Sequence, residues 1–241
     1  MSGLIGGAVR RRLEGGYELS ALNRRAVEGV RTLRADIADL EAVRPAFEGQ
    51  DVVVHLAGYR GIEWPDVLQT NVIGTYNVFE ASRLAGVKRV IYASSGATVS
   101  GWQKEEPFRT LIEGRYEEVP APWPMLTHET PIRSWSLYGA GKVWGEALAY
   151  NFSETTDLSI ICLRFAVVNE EDRPRSREEV PVWCSQRDTA QMVERCIEAP
   201  DTLKFDIFNV VSASRRGFRD ISHAKEVVGY EPEDSADDYP V

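Results

Sequence analysis

Apolar and polar positions along this chain follow two alternating rhythms. Residues 51–57 (DVVVHLA), 87–94 (VKRVIYAS), 158–165 (LSIICLRF) and 205–211 (FDIFNVV) are short, nearly continuous apolar runs rich in β-branched residues. Such runs mark strands covered on both faces. Residues 17–22 (YELSAL) and 30–34 (VRTLR) read as two shorter strands. Between them the spacing turns helical, over 3–14, 38–47, Trp64 to Ala85, Trp135 to Ser153, 187–198 and 218–228. Pro45 ends or bends the second of these early, because it brings no N–H to the helix. Residues 100–134 hold five of the twelve prolines and predict a long loop or insertion; 169–181 predicts a polar loop. Strands alternating with helices predict an α/β fold, a doubly wound parallel sheet with helices on both faces. A chain of 241 residues suits one such domain, with a small substrate-side portion from about 166 to 241.

The first turn adds chemistry to this frame. Ser2-Gly3-Leu4-Ile5-Gly6-Gly7 opens a helix with a glycine cluster, where backbone N–H groups and the helix dipole meet a pyrophosphate in a Rossmann fold. Only the later part of the strand–glycine–helix unit is present, with Gly3 and Gly6 as its second and third glycines. The expectation is therefore a Rossmann sheet whose first strand is missing at the N-terminus, leaving unpaired ladder groups on the neighbouring strands. Asn23, Arg24 and Arg25 follow the next strand. An acid there would hold the adenosine ribose 2′-hydroxyl, whereas arginines accommodate a 2′-phosphate. The pattern favours NADP, with NAD as the alternative.

Tyr138-Gly139-Ala140-Gly141-Lys142 places a phenol and an ammonium at i and i+4, on one helix face. A cation held there favours the phenolate, which suits Tyr138 to general acid/base work on an alcohol–carbonyl pair. The motif sits in an ordered series. His55-Leu56-Ala57-Gly58 follows the first apolar run, Asn71-Val72-Ile73-Gly74-Thr75 lies in the next helix, and Tyr92-Ala93-Ser94-Ser95-Gly96 ends the next strand. Gly145-Glu146 follows the tyrosine and lysine. Together these resemble the extended short-chain dehydrogenase/reductases, the NAD-dependent epimerase/dehydratase family.

The resemblance implies that Gly3, Leu4, Ile5, Gly6, Leu56, Ala57, Gly58 and Ser94 border the dinucleotide, and that Asp36 and Ile37 meet its adenine. It implies that Lys142 reaches the nicotinamide ribose and that Asn71 supports the active-site backbone. Ser95 takes the place of the serine that orients the substrate oxygen, with Gly96 beside it and Thr98 a more distant alternative. For His55 the core role is favoured. Leu163-Arg164-Phe165, Val182-Trp183-Cys184-Ser185, Ile207 to Ser212 and Gly229-Tyr230-Glu231-Pro232 resemble the uronate dehydrogenase branch. That branch oxidises a sugar acid and clamps its carboxylate with a loop arginine. Arg173, Arg175 and Arg177 are the candidates here, Arg177 being taken for substrate binding. The expected function is hydride transfer at a hydroxyl or carbonyl of a sugar or sugar acid. The alternatives are a sugar epimerase or dehydratase that recycles its cofactor, and a non-catalytic dinucleotide-binding protein.

A net charge of −9 and a pI near 5.0, without a basic run, exclude a general nucleic-acid or anionic-membrane binder. No apolar stretch reaches the length of a membrane span. Cys162, Cys184 and Cys196, like His55, His128 and His223, stand far apart in sequence, so no metal site is expected. A reducing, cytoplasmic setting fits the thiols. The resemblance implies a homodimer formed through the helices at 66–85 and 136–153.

Overall fold

Four parallel strands build the main sheet of the computed structural model, which describes residues 1–241. Helix α1 (Leu4–Leu13) opens the chain, followed by β1 (Ser20–Asn23), β2 (Arg31–Arg34), the short α2 (Leu40–Val43) and β3 (Val52–His55). α3 (Trp64–Asp66), α4 (Gly74–Leu84), β4 (Arg89–Ser95), α5 (Phe108–Ile112) and α6 (Leu137–Thr155) come next. β5 (Ser159–Phe165), α7 (Gln186–Ile197), β6 (Phe205–Val210) and α8 (Ser222–Val228) complete the order. The main sheet runs β3-β4-β5-β6, with Ser94 level with Arg164 and Arg164 level with Asn209. Every residue of β5 is buried, as the continuous apolar run predicts for a strand covered on both faces.

The parallel strands divide into two sheets, with ladder groups left unpaired as expected. β1 pairs only with β2 and β3 pairs only with β4, so the strands form a two-stranded and a four-stranded sheet. Val52, Val53 and Val54 are half-buried on that edge, whereas Val90, Ile91 and Tyr92 of β4 are buried.

Two apolar clusters sandwich the main sheet. One joins α1, α7 and α8 to Ile91, Ile161, Leu163 and Phe208; the other joins α4 and α6 to Val90, Tyr92, Ile160 and Cys162. A third cluster decides between loop and insertion for 100–134. Phe108, Leu111, Tyr116 and Leu126 pack with Val180, Trp183, Phe218 and Ala236, so the insertion carries a small core of its own. Its prolines and charges hid that core, because few apolar residues suffice when distant segments supply the rest. Helix ends are set by side chains: Ser136 accepts from Gly139 N–H at 3.0 Å, and Ser185 from Asp188 N–H at 2.9 Å. α8 stops at Gly229, whose φ of +67° requires a residue without Cβ strain. No helix is long and apolar enough to cross a membrane.

The expected helix from Trp64 to Ala85 is continuous but not uniform. α3 and α4 are joined by a π-helical stretch, Val67–Ile73. Such a wide turn re-aims side chains and is common at functional sites; here it contains Asn71.

His55 is a core histidine. It is buried between Phe79 and Tyr92, with Nε2 3.3 Å from the Thr75 hydroxyl. Burial, aided by the Lys142 charge, pushes its pKa from 6.5 down to about 3. The unfolded chain therefore binds this proton between pH 6.5 and about 3 while the folded chain does not. Stability contributed by neutral His55 is thus lost as pH falls through that window. Replacing His55→Gln should flatten the decline of Tm between pH 6.5 and 4, measured by calorimetry. A slope equal to that of the parent would disprove this assignment.

Candidate active site

The carboxyl ends of β4 and β5 meet the first turns of α6, and the site is assembled there. With Ser136 capping the helix, Tyr138 lies in its first turn, half-buried, and Lys142 lies one turn further on the same face. Lys142 is only 3% exposed. Its ammonium donates to the Ala93 carbonyl at 2.6 Å and sits 5.8 Å from the Tyr138 ring centre and 4.8 Å from that of Tyr92. Burial pushes its pKa down to about 8, against the opposing pull of Cys162 and Glu146. Gly58 gives this ammonium room, since a Cβ there would lie 3.1 Å from Nζ.

Asn71 holds the neighbouring backbone. Its carboxamide accepts from Tyr59 N–H at 2.7 Å and donates to the Tyr59 carbonyl at 2.8 Å. This pair of hydrogen bonds fixes the segment just after Leu56, Ala57 and Gly58. Leu56 packs on the core, while Ala57 and Gly58 are exposed beside Lys142.

The two serines divide their work. Ser94 donates to Glu146 at 2.6 Å in the interior. The Ser95 hydroxyl accepts from Ala97 N–H at 3.1 Å, capping the Gly96–Thr98 turn. That acceptor role leaves its proton available for a substrate oxygen. Thr98 is fully buried and donates to the Ser95 carbonyl, so it serves the turn.

Beneath the serines lies a buried ion pair. Arg164 Nε and Nη2 each meet a Glu146 oxygen at 2.8 Å, with side chains 2% and 3% exposed. Neither residue was assigned a role from sequence. An arginine inside the apolar run 158–165 was the available signal, because a buried charge demands a partner.

At the carboxyl end of β1, Ser2, Asn23, Arg24 and Arg25 line a cavity of about 470 Å³. Asn23 donates to the Ser2 hydroxyl at 3.1 Å and to the Arg25 carbonyl at 2.8 Å. The first turn of α1, at Leu4 and Ile5, begins on Gly3 without a side-chain cap, which leaves its N–H groups for an anion. Gly6 is spent on packing: a Cβ there would lie 2.6 Å from the Met1 nitrogen. Asp36 closes its own turn by accepting from Ala38 N–H, and the Ile37 carbonyl accepts from Asn77. A polar cavity with two arginines, an uncapped helix start and an exposed Ala57–Gly58 rim beside Lys142 fit a nicotinamide dinucleotide.

Two expectations shift. Arg177 is committed to the insertion, with Nη2 on both Glu117 oxygens at 2.8 and 2.9 Å and Nε on the Gly114 carbonyl. His128 and His223 are not isolated: their rings stack 3.7 Å apart, and His223 Nε2 lies 2.9 Å from Asp206. Tertiary structure joins residues that sequence keeps 95 positions apart, shown by their numbers alone. A residue that sequence passed over, Arg219, also reaches the site, against Gly96.

Known proteins resemble this chain in sequence and fold. The chain is 29% identical to an L-arabinose 1-dehydrogenase (NAD(P)(+)) of Haloferax volcanii, over 98% of this chain and 94% of that protein. It is 28% identical to the NAD-dependent glucose-6-phosphate dehydrogenase of the same organism, over 98% and 92% of the two chains. The crystal structure of uronate dehydrogenase from Agrobacterium tumefaciens superposes with a TM-score of 0.82 at 27% identity, covering 98% of this chain and 83% of that one. The family model for the NAD dependent epimerase/dehydratase family matches residues 1–186. With its Rossmann-type parallel sheet and the Tyr138–Lys142 pair at the sheet's carboxyl edge, the chain belongs to the NAD dependent epimerase/dehydratase family.

Proposed function

We propose that this protein is an NAD(P)-dependent oxidoreductase acting on a hydroxyl or carbonyl group of a sugar or sugar acid. The observation that carries the proposal is the buried Lys142 ammonium, pinned by the Ala93 carbonyl on the helix face that presents Tyr138. When bound, the nicotinamide supplies the hydride acceptor. Tyr138 takes the substrate hydroxyl proton as its C–H bond breaks, and Ser95 donates a hydrogen bond that orients the same oxygen. Lys142 holds positive charge beside the phenol and is placed to meet the nicotinamide ribose. The sugar dehydrogenases among the relatives support net oxidation over an epimerase or dehydratase cycle. The test is NAD(P)H formation with a panel of aldoses, hexuronates and sugar phosphates. Turnover without net reduced nucleotide would favour the recycling alternative.

Arg24 and Arg25 at the Asn23 cavity support a preference for NADP over NAD. Calorimetric titration should show NADP binding more tightly, and Arg24→Ala with Arg25→Ala should weaken it by about ten-fold or more while sparing NAD. Equal affinity for both nucleotides in the parent would refute the preference.

Tyr76 and Leu84 on α4 and Leu137, Trp144 and Tyr150 on α6 are large, exposed apolar side chains. Their position on two neighbouring helices supports a homodimer through this face, and Trp144→Glu should shift the protein to monomer in light scattering. Three buried, unpaired thiols suit a reducing, cytoplasmic compartment, and residues from about 166 to 241 form the substrate side of the single nucleotide-binding unit.

A further inference from the structure

Arg219 carries a charge that nothing in the fold neutralises. It is 5% exposed, and its one hydrogen bond is a 3.3 Å contact from Nη2 to the Gly96 carbonyl. Nε and Nη1 have no partner. Buried guanidinium nitrogens left this way are costly, and each such case calls for an explanation. The neighbouring charges deepen the deficit. Arg164 lies close enough to repel Arg219, and the carboxylate that Arg164 itself meets, Glu146, is already held on it by both oxygens. Lys142 shares that same carboxylate field. Arg219 thus stands beside a second cation with no carboxylate in contact with it.

The backbone holds Arg219 there firmly. Residues 218–220 bridge to Leu126: Leu126 N–H donates to the Phe218 carbonyl at 2.7 Å and Asp220 N–H to the Leu126 carbonyl at 2.9 Å. The Asn209 amide ties both strands of this bridge to β6 at 3.0 and 3.1 Å. The guanidinium then lies directly over Gly96, where a Cβ would collide with it. Gly96 follows Ser95, the residue set to orient the reacting oxygen. A glycine stands after Ser95 because the space of its side chain is taken by the arginine.

We propose that Arg219 is the anion-recognition residue of the substrate site, holding a carboxylate or phosphate carried by the sugar whose hydroxyl meets Tyr138 and Ser95. This rests on the oxidoreductase reading above and narrows it to anionic sugars. Its neutral counterpart, an uncharged aldose, would leave the guanidinium without a partner, which is why the residue discriminates between them.

The test compares D-glucuronate, D-glucose 6-phosphate and D-glucose on the parent protein and on Arg219→Met and Arg219→Lys. Binding is measured by calorimetry on the nucleotide-loaded protein, with kcat and KM alongside. One anionic sugar should bind the parent at least about ten-fold more tightly than glucose, the usual return on a hydrogen bond to a charged group. Which of the two does so identifies the anion. Arg219→Met should remove that preference, raising KM for the anionic sugar at least about ten-fold more than for glucose, with Arg219→Lys intermediate. Without sugar, Arg219→Met should also raise Tm by at least about 2 °C, since an uncompensated buried charge is replaced by an apolar side chain of similar length. Equal binding of all three sugars to the parent, or equal losses for all three in the Lys variant, would overturn the proposal. So would a Met variant of lower Tm with undiminished anion preference, the signature of a structural arginine. The oxidoreductase reading fails separately. Arg219-dependent anion binding without NAD(P)H formation would leave the present inference standing, whereas NAD(P)H formed equally from neutral sugar would do the reverse.

Discussion

Tyr138→Phe will fold, bind dinucleotide as tightly as the parent and lose about 10²- to 10⁴-fold in kcat, the usual contribution of a positioned acid/base. The change removes one oxygen from a half-buried ring in the first turn of α6. It disturbs neither the Ser136 cap nor the Lys142 bond to the Ala93 carbonyl. KM should therefore move little, because the hydroxyl matters most while the proton is in flight. Steady-state kinetics with the best substrate of the panel, beside a nucleotide titration, checks both halves. A loss of nucleotide binding equal to the loss of rate would show that Tyr138 acts in binding rather than in proton transfer.

Glu146→Ala will lose about 3–5 kcal/mol of stability, the cost of leaving one partner of a buried ion pair uncompensated. Arg164 would then sit 2% exposed with both of its carboxylate contacts gone, and Ser94 would lose its acceptor. Arg219 adds a second positive charge nearby, so the vacated site is more hostile than an ordinary buried arginine. Denaturant titration measures the loss. Because Ser94 and Ser95 are successive residues of β4, the variant should also blunt kcat under conditions where it remains folded. The double change Glu146→Leu with Arg164→Met should recover much of the stability, since matched apolar groups need no partner. A single variant as stable as the parent would show that the pair contributes little net energy.

Much of this protein is legible along the chain, for identifiable reasons. The runs 87–94 and 158–165 are apolar without interruption because β4 and β5 are covered on both faces, and burial on both sides leaves no polar period to misread. Tyr138 and Lys142 are visible because four residues make one helical turn, a local relation that needs no tertiary information. The glycines at the start of α1 and the arginines after β1 are likewise local. Asn71 was assigned a supporting role, but the π-helical turn that aims it at Tyr59 was not visible, since hydrogen-bond slippage within a helix leaves no period of its own.

What sequence alone determined is thus the order of strands and helices, the parallel α/β class and the local chemistry of each motif. Tertiary structure alone decided which distant charges share a space. It gave the proline-rich insertion a core and turned Arg177 onto Glu117. It also paired Glu146 with Arg164 and laid Arg219 over Gly96, across 123 positions. The physical reason is range. Helical and strand periods are set by neighbouring dihedral angles and by which face meets the core, so they are written within a few residues. A charge reveals its function only through the partner it finds or lacks, and that partner is chosen by the packing of the whole chain.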